Sequence, residues 1–184
     1  MHLFIGLFVV LLLNLNLFSI LPMIISLFLF SILLSVFTKL AKPKLILFML
    51  KWFDKPEDVD TFPGKGAVFY LAGILLSLLF FDSRIASAAI IILAVGDPAA
   101  HIIGKYYGKK KIIINNKKLL EGTMAGTLLG TFAASIFMPI PIAFFGAASG
   151  MMAEAFDIQF LHLDDNLFIP LTSGLVMTII QSLI

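Results

Sequence analysis

The sequence predicts an all-α integral membrane protein, a bundle of about seven transmembrane helices with its N-terminus in the cytoplasm. Of its 184 residues 60% are hydrophobic and only 13% are charged, whereas soluble domains carry about 25% charged residues. So small a polar fraction cannot cover a water-soluble globule. At about 20 residues per span, the length allows six or seven helices and no soluble domain. We therefore expect residues 1–184 to form a single transmembrane domain.

Seven apolar runs have the length of membrane spans, with polar turns or connectors between them. The predicted spans are residues 3–18, 20–37, 67–81, 85–107, 123–137, 142–156 and 167–184. The fourth run is interrupted at Gly96, Asp97 and Pro98. Because proline cannot donate its backbone hydrogen bond, we expect a new helix to begin at Pro98 with Asp97 as its N-cap. Such a break is tolerated inside a membrane only where protein or water lines it.

The longest polar stretch, residues 39–65, contains one apolar segment. Residues 45–53 are mostly apolar with lysines near both ends, which predicts a short helix lying in the membrane interface with Trp52 at headgroup level. Residues 54–60 are expected to form an acidic loop after this helix.

The basic residues define the predicted orientation. Of the 13 lysines and arginines, only Arg84 falls on the opposite side when the seven spans alternate. Because cytoplasmic loops carry the excess of lysine and arginine, we expect the N-terminus inside and the C-terminus outside. Three polar connectors, residues 39–66, 104–121 and 157–166, then share the cytoplasmic face.

Two stripes of small residues predict close helix packing. Glycine recurs at every fourth residue from Gly122 to Gly130, and again at Gly146 and Gly150. Small residues at this spacing let membrane helices approach closely. The second stripe leads directly to Glu154, at the end of its span. An ionisable group on a close-packed face of a membrane helix is costly, and Glu154 is therefore a functional candidate.

The charged residues around the interrupted span have the composition of a phosphoryl-transfer site. Such a site holds a divalent metal, neutralises triphosphate oxygens and positions a hydroxyl. Asp97, His101 and Lys105 follow at four-residue intervals and share one face of the helix after Pro98. The further candidates are the carboxylates Glu121, Glu154, Asp164 and Asp165 and the lysines Lys65, Lys109, Lys117 and Lys118. The sequence has no P-loop, protein-kinase signature or dinucleotide-binding fingerprint.

Structural roles stay open for several of these residues. Asp97 can be a helix cap alone, and His101 an ordinary interfacial histidine. Lys65, between two glycines, can belong only to a helix-entry turn. The lysines at 109–111 can serve to anchor the chain at an anionic membrane surface.

The stretch from Gly96 to Gly122 resembles the CTP-dependent lipid kinases, a family that comprises dolichol kinase, yeast-type diacylglycerol kinase and phytol kinase. It is more distantly similar to phosphatidate cytidylyltransferase. The shared pattern matches at Gly96, Asp97, Ala100, Gly104, Lys105, Gly108, Lys109, Lys118, Glu121 and Gly122. Two further blocks also resemble the kinases, residues 62–67 and Glu154–Ala155 with residues 165–171. One departure is that His2 lacks the preceding basic pair that the family shows in its first span.

The resemblance implies a kinase that transfers a phosphate from CTP to the hydroxyl of a dolichol- or polyprenol-like membrane alcohol and releases CDP, with Mg²⁺ as cofactor. It implies that Asp97 and Glu121 hold the metal and that Asp97, Glu154 and Asp165 are catalytic. Either Glu154 or Asp165 would orient or deprotonate the lipid hydroxyl. The implied nucleotide contacts are Lys65, Gly96, His101, Gly104, Lys105, Gly108, Lys109, Lys118, Gly122 and Asn166.

The expected partners are CTP, a membrane lipid alcohol and the bilayer, without nucleic acid, and a homodimer is compatible with these expectations. The protein would be multi-pass, in the cell membrane of a prokaryote or the endoplasmic reticulum of a eukaryote, with its site facing the cytoplasm. One alternative is a cytidylyltransferase that makes a CDP-lipid and releases pyrophosphate. A second alternative, a small transporter, predicts inverted repeats and a charge at the bilayer midplane, and the sequence has no clear repeat.

Overall fold

The protein is helical over most of the residues that this computed structural model describes, which are 2–15, 20–54, 56–112, 115, 118–156 and 163–183. The helices are α1 His2–Leu15, α2 Ile20–Ala41, α3 Lys44–Phe53, α4 Pro56–Thr61, α5 Lys65–Phe80, α6 Ser83–Ile91, α7 Asp97–Tyr107, α8 Leu120–Ala134, α9 Ile140–Phe156 and α10 Asp165–Leu183. A π-helical turn, Ile92–Gly96, joins α6 to α7. The predicted helical fold class is thereby confirmed for the described residues.

The long helix that runs from α6 through the π-helical turn into α7 lies at the centre of the bundle. In the most apolar 18-residue window of Ser83–Tyr107, 67% of the residues are buried, whereas the corresponding share in the more apolar α2 is 17%. Helix α8 packs against α7, α9 packs against α8 and α10, and α10 also contacts α5. Of the candidate membrane spans among the described residues, the most buried is therefore the one that carries Asp97.

The predicted packing face of α8 is confirmed, because Gly122, Gly126 and Gly130 are all buried. The approach is closest at Gly122, where an added Cβ would lie 2.5 Å from the carbonyl oxygen of Ala100 and 3.0 Å from the Cα of Gly104. A larger residue at Gly122 would push α8 away from α7. Glycine is needed there for the contact between the two helices that flank the polar connector.

The predicted break before Pro98 is wrong. Gly96 and Asp97 both keep right-handed helical backbone angles, and the helix continues without an N-cap at Asp97. The wider π-helical turn before the proline explains this continuity, since Pro98 has no N–H to donate and its ring needs room against the preceding turn. The carboxylate of Asp97 is thus not used to cap a helix.

Among the described residues, three helices are long and apolar enough to cross a membrane, α2, α10 and the continuous helix Ser83–Tyr107. Helices α1, α5 and α9 are apolar but shorter, between 10 and 17 residues. Seven spans and a cytoplasmic N-terminus therefore remain predictions. The expected interfacial helix appears as α3, with Trp52 largely exposed. The expected acidic loop at residues 54–60 instead contains α4, and residues 157–162 of the last connector lie outside the described residues.

Candidate active site

A cavity of about 650 Å³ opens at one end of the bundle, where α7, α8, α9 and α10 meet α4 and the start of α1. Its volume is in the range of small-molecule sites. Its lining residues are His2, Asp54, Glu57, Asp58, Gly66, Asp97, Ala100, His101, Gly104, Lys105, Lys118, Leu119, Thr123, Glu154, Asp164, Asp165 and Asn166. Seven of these side chains are carboxylates and only two are lysines. The cavity is therefore strongly acidic.

Asp97, Glu154 and Asp165, which we call the carboxylate cluster, lie together at the base of this cavity. Each offers a carboxylate oxygen, and the three oxygens lie within 4.8 Å of one another. They come from α7, α9 and α10, so three separate helices set their positions. Glu154 is only 2% exposed, and its Oε2 has no hydrogen-bond partner among the described residues. This geometry suits a divalent cation, which would supply a partner for that buried oxygen.

Lys118 reaches the carboxylate cluster from the connector between α7 and α8. Its Nζ donates a short hydrogen bond to Oε1 of Glu154 and lies 3.3 Å from Oδ2 of Asp165. Burial by itself would lower the pKa of Lys118, but the two carboxylates outweigh it and raise that pKa above its ordinary value. The ammonium group therefore stays charged and offsets part of the negative charge of the cluster.

Glu121 lies outside the carboxylate cluster and does not line the cavity, contrary to its predicted place beside Asp97. Its carboxylate accepts hydrogen bonds from the backbone N–H groups of Lys109 and Lys110 at 3.1 and 3.2 Å. Hydrogen bonds from its own backbone N–H and from Lys109 hold the pKa of Glu121 below its ordinary value. Its carboxylate ties the two ends of the connector together, and this role explains its position.

The connector is a narrow loop whose ends pair across it. Lys111 and Leu119 form an isolated antiparallel bridge, and the N–H of Leu120 donates to the carbonyl of Lys110. The N–H of Ile112 also donates to the carbonyl of Lys118. These bonds and Glu121 together hold the backbone of Lys118 beside the cavity.

Asn166 is buried at the start of α10, where it borders the cavity. Its Nδ2 donates to Oδ1 of Asp164 at 2.6 Å and lies 3.5 Å from the carbonyl oxygen of Gly66. Its Oδ1 has no partner among the described residues. Asn166, a predicted nucleotide contact, thus borders the cavity with a side-chain oxygen that can accept a hydrogen bond.

Asp54, Glu57 and Asp58, which we call the acidic rim, line the cavity from the end of α3 and from α4. Asp54 accepts a hydrogen bond from the N–H of Gly64 at 2.6 Å, and Asp58 pairs with Lys65 at 3.4 Å. Burial raises the pKa of Asp54, although the Gly64 hydrogen bond opposes this shift. Two of these three carboxylates therefore have partners that stabilise the turn into α5.

The other predicted nucleotide contacts divide into two groups. His101, Gly104 and Lys105 line the cavity. The residues that do not line it are Lys65, Gly96, Gly108, Lys109 and Gly122. The structure accounts for these by other contacts: the glycines pack against neighbouring helices or the connector, Lys65 pairs with Asp58, and Lys109 donates its backbone N–H to Glu121.

His2, Gly66 and Thr123 line the cavity but were not predicted as site residues. The ring of His2 stacks on Tyr70 with centroids 4.4 Å apart, and the Tyr70 hydroxyl donates to the carbonyl of His2 at 2.6 Å. No local pattern in the sequence links residues 2 and 70. Gly66 lies within the matched block at 62–67, which was the available signal for this residue.

Together the fold and the cavity define a helical protein with three candidate membrane spans among its described residues and an acidic pocket whose carboxylates suit a divalent cation. No family model and no solved structure matches the chain. Among curated proteins, it is 33% identical over 132 residues to a probable phytol kinase of Oryza sativa, covering 63% of this chain and 43% of the relative. It is 31% identical to the farnesol kinase of Arabidopsis thaliana, covering 60% of this chain and 41% of the relative.

A third relative is the CTP-dependent diacylglycerol kinase of Eremothecium gossypii, 24% identical over 67% of this chain and 46% of the relative. The chain spans about half the length, or less, of these relatives. The resemblance to the CTP-dependent lipid kinases is confirmed, because the homologues of this chain are phytol, farnesol and CTP-dependent diacylglycerol kinases.

Proposed function

We propose that this chain is a CTP-dependent kinase that phosphorylates the hydroxyl of a membrane lipid alcohol and releases CDP. The observation that carries the proposal is the carboxylate cluster, three acids from three helices with Lys118 beside them, in a chain whose homologues are lipid kinases. Phosphoryl transfer needs charge neutralisation and positioning more than it needs covalent chemistry. The cavity has the groups for both.

Mg²⁺ is part of the proposal because of the charge of the cavity. Seven carboxylates and two lysines line it, and such a cavity repels a free triphosphate. A divalent cation held by Asp97, Glu154 and Asp165 would remove this obstacle and neutralise phosphate oxygens. This set replaces the pair of Asp97 and Glu121 that the resemblance implied.

The remaining cavity residues have proposed roles in binding and orientation. Lys105 and Lys118 would contact phosphate oxygens, and Oδ1 of Asn166 would accept a hydrogen bond from the nucleotide. Asp165 is the better candidate to orient the acceptor hydroxyl, because its side chain is 17% exposed whereas that of Glu154 is 3% exposed. Glu154 is in addition neutralised by Lys118.

The acceptor would be a single hydroxyl on a long apolar chain. Phytol, farnesol and diacylglycerol, named in the relatives, share this chemistry with the dolichol or polyprenol that we expected from the sequence. The tail would remain in the bilayer while the hydroxyl enters the cavity. Lateral entry of this kind would need no soluble carrier and is compatible with a monomer or a homodimer.

A donor and acceptor panel tests the proposal. Purified protein is incubated with Mg²⁺, either CTP or ATP, and phytol, farnesol, diacylglycerol or a polyprenol, and the products are identified by mass spectrometry. We expect a lipid monophosphate and CDP, with CTP far better than ATP. Equal rates with both nucleotides would reject the proposed specificity for CTP. Formation of pyrophosphate and a CDP-lipid would identify a cytidylyltransferase instead.

The proposed topology has its own test. Single cysteines in place of Lys110 and Arg84 are labelled in sealed cells with a reagent that does not cross membranes. We expect Arg84→Cys to label from outside and Lys110→Cys only after the membrane is opened. Labelling of Lys110→Cys from outside would place the connector, and with it the cavity, on the wrong side for cytoplasmic CTP.

A further inference from the structure

Lys118 already provides a cation to the carboxylate cluster. Its ammonium group bonds one oxygen of Glu154 and lies 3.3 Å from one oxygen of Asp165. Both residues belong to the set that would hold a metal. In this structure two of the three carboxylates of the cluster thus already interact with the ammonium group of Lys118.

Lys118 and a divalent cation would occupy the same small region of the cluster. When all three carboxylates are ionised they carry three negative charges, of which Lys118 offsets one. A divalent cation held by the carboxylates of Glu154 and Asp165 would lie close to the ammonium group even where it binds other oxygens, and like charges at that range repel in a partly buried site. The lysine and a metal ion therefore compete for Glu154 and Asp165.

The side chain of Lys118 is placed so that it can move away from Glu154 and Asp165. Lys118 lies in the connector rather than on a helix, its side chain is 24% exposed, and it lines the cavity. Its backbone is held by bonds to Ile112 and Asn115, while the flexible four-carbon side chain can turn without moving that backbone. The cavity in front of it is where phosphate oxygens would lie.

We propose that Lys118 is a resident counter-ion of the carboxylate cluster that the metal–nucleotide complex displaces, after which its ammonium group binds the phosphates. This inference rests on the proposed function. The proposal predicts that a metal ion binds weakly without nucleotide. The ion must displace the ammonium group of Lys118, and no phosphate is then present to bind that group. With a nucleotide present, the displaced ammonium gains phosphate partners, so metal and nucleotide bind cooperatively. That coupling is reciprocal by thermodynamic necessity.

The first test measures Mn²⁺ binding to the purified full chain without nucleotide, from the electron paramagnetic resonance signal of free Mn²⁺. We expect Lys118→Met to bind Mn²⁺ at least tenfold more tightly than the wild type. Lys65→Met is the matched control, because it removes a lysine from another partly buried pair, Lys65–Asp58, and it should stay within about twofold of the wild type. A Lys118→Met protein that binds no more tightly than Lys65→Met would overturn the proposal.

The second test repeats the titration with a CTP analogue that carries a methylene bridge between its β- and γ-phosphates. The analogue should raise the Mn²⁺ affinity of the wild type at least tenfold, and that of Lys118→Met by a smaller factor. Lys118→Arg, which keeps the charge, should retain the coupling of the wild type. Equal coupling in the wild type and in Lys118→Met would contradict displacement of the lysine.

A third measurement uses the wild type, and so it decides the question even where Lys118→Met fails to fold. The rate of acetylation of Lys118 is followed by mass spectrometry. It should rise severalfold with saturating Mn²⁺ alone and fall again when the analogue is added. An unchanged rate at saturation would mean that the lysine does not move.

The two hypotheses fail in distinguishable ways. Absence of any phosphorylated alcohol in the donor and acceptor panel would reject the proposed function, whatever the Mn²⁺ titrations give. Normal turnover that is lost in Asp97→Asn, together with unchanged Mn²⁺ affinity in Lys118→Met, would leave the kinase intact and reject the counter-ion alone.

Discussion

The carboxylate cluster and the acidic rim line the same cavity, and each combines carboxylates with a lysine. In the rim, Asp54 and Asp58 are close in sequence and bind Gly64 and Lys65, which lie at the start of α5. In the cluster, Asp97, Glu154 and Asp165 come from three different helices, and one buried oxygen of Glu154 has no partner among the described residues.

This difference shows that the number of acids in a cavity does not identify its chemistry. Two of the three carboxylates of the rim, Asp54 and Asp58, are engaged in local bonds that stabilise the turn into α5. The carboxylates of the cluster are brought together at a cost, since like charges held within 4.8 Å repel. A protein keeps such an arrangement where a cation uses it, and the following variants test whether the two regions differ as we infer.

The largest effect is expected for Asp97→Asn, at the centre of the cluster. Asparagine keeps the shape of the side chain and removes one charge from the proposed metal site. A positioned metal contributes several kcal/mol of transition-state stabilisation, so we expect a loss of about 10²-fold or more in turnover. The melting temperature should change little.

Asp82→Asn is the matched control for this variant. Asp82 caps α6 through bonds to the N–H groups of Arg84 and Ile85, and asparagine caps a helix about as well. Turnover and melting temperature should both remain those of the wild type. A fully active Asp97→Asn enzyme would reject the metal site and make the cluster equivalent to the rim.

Among these variants, Glu154→Gln should cause the second-largest loss of turnover and the largest loss of stability. It removes the charge that Lys118 binds, while Asp165 still offers that lysine a partner 3.3 Å away. We expect a loss of at least about tenfold in turnover and a destabilisation of roughly 1 to 3 kcal/mol, below the full cost of breaking a buried pair. Thermal unfolding in detergent and the CDP assay measure the two effects. Unchanged stability would show that the pair with Lys118 is not held in solution.

Glu121→Gln should have an intermediate effect, because Glu121 holds the connector rather than the metal. We expect a loss of turnover of less than about tenfold. The folded pKa of Glu121 is depressed, so its contribution to stability is present above its unfolded pKa and disappears as the pH falls through the folded value. Melting temperatures of the variant and the wild type should therefore converge in acid. A loss as large as that of Asp97→Asn would restore Glu121 as a metal ligand.

The smallest effect is expected for Asp54→Asn in the rim, with turnover within about threefold of the wild type. The folded pKa of Asp54 lies above its ordinary value, which means that the folded state binds more protons and loses stability as the pH rises through this window. Asparagine can still accept the hydrogen bond of Gly64 and removes that dependence. Melting temperatures measured from about pH 4, near the ordinary aspartate pKa, up to neutral pH should therefore vary less for the variant than for the wild type. A steep loss of turnover would instead assign the rim to the chemistry.

The sequence by itself determined most of the helices, the packing stripe of α8 and the residues from which a site could be built. These features depend on local patterns, namely apolar runs, glycines at four-residue intervals and charges at the ends of spans. The continuity of the helix at Pro98 could not be predicted from the sequence. A proline at this position is compatible both with a break in the helix and with a wider π-helical turn before it. Helix α4 was also missed, since three of its six residues are acidic and the segment carries no apolar periodicity.

Only the tertiary structure decided which carboxylates meet. Asp97 and Glu121 belong to one matched motif, and the resemblance implied that they share a metal. In the folded protein the packing of α9 and α10 instead brings Glu154 and Asp165 to Asp97, while the backbone N–H groups of the connector bind Glu121. A local pattern states which face of a helix a residue occupies, but not which helix packs against that face, because the neighbour is set by the close approach of whole helix surfaces.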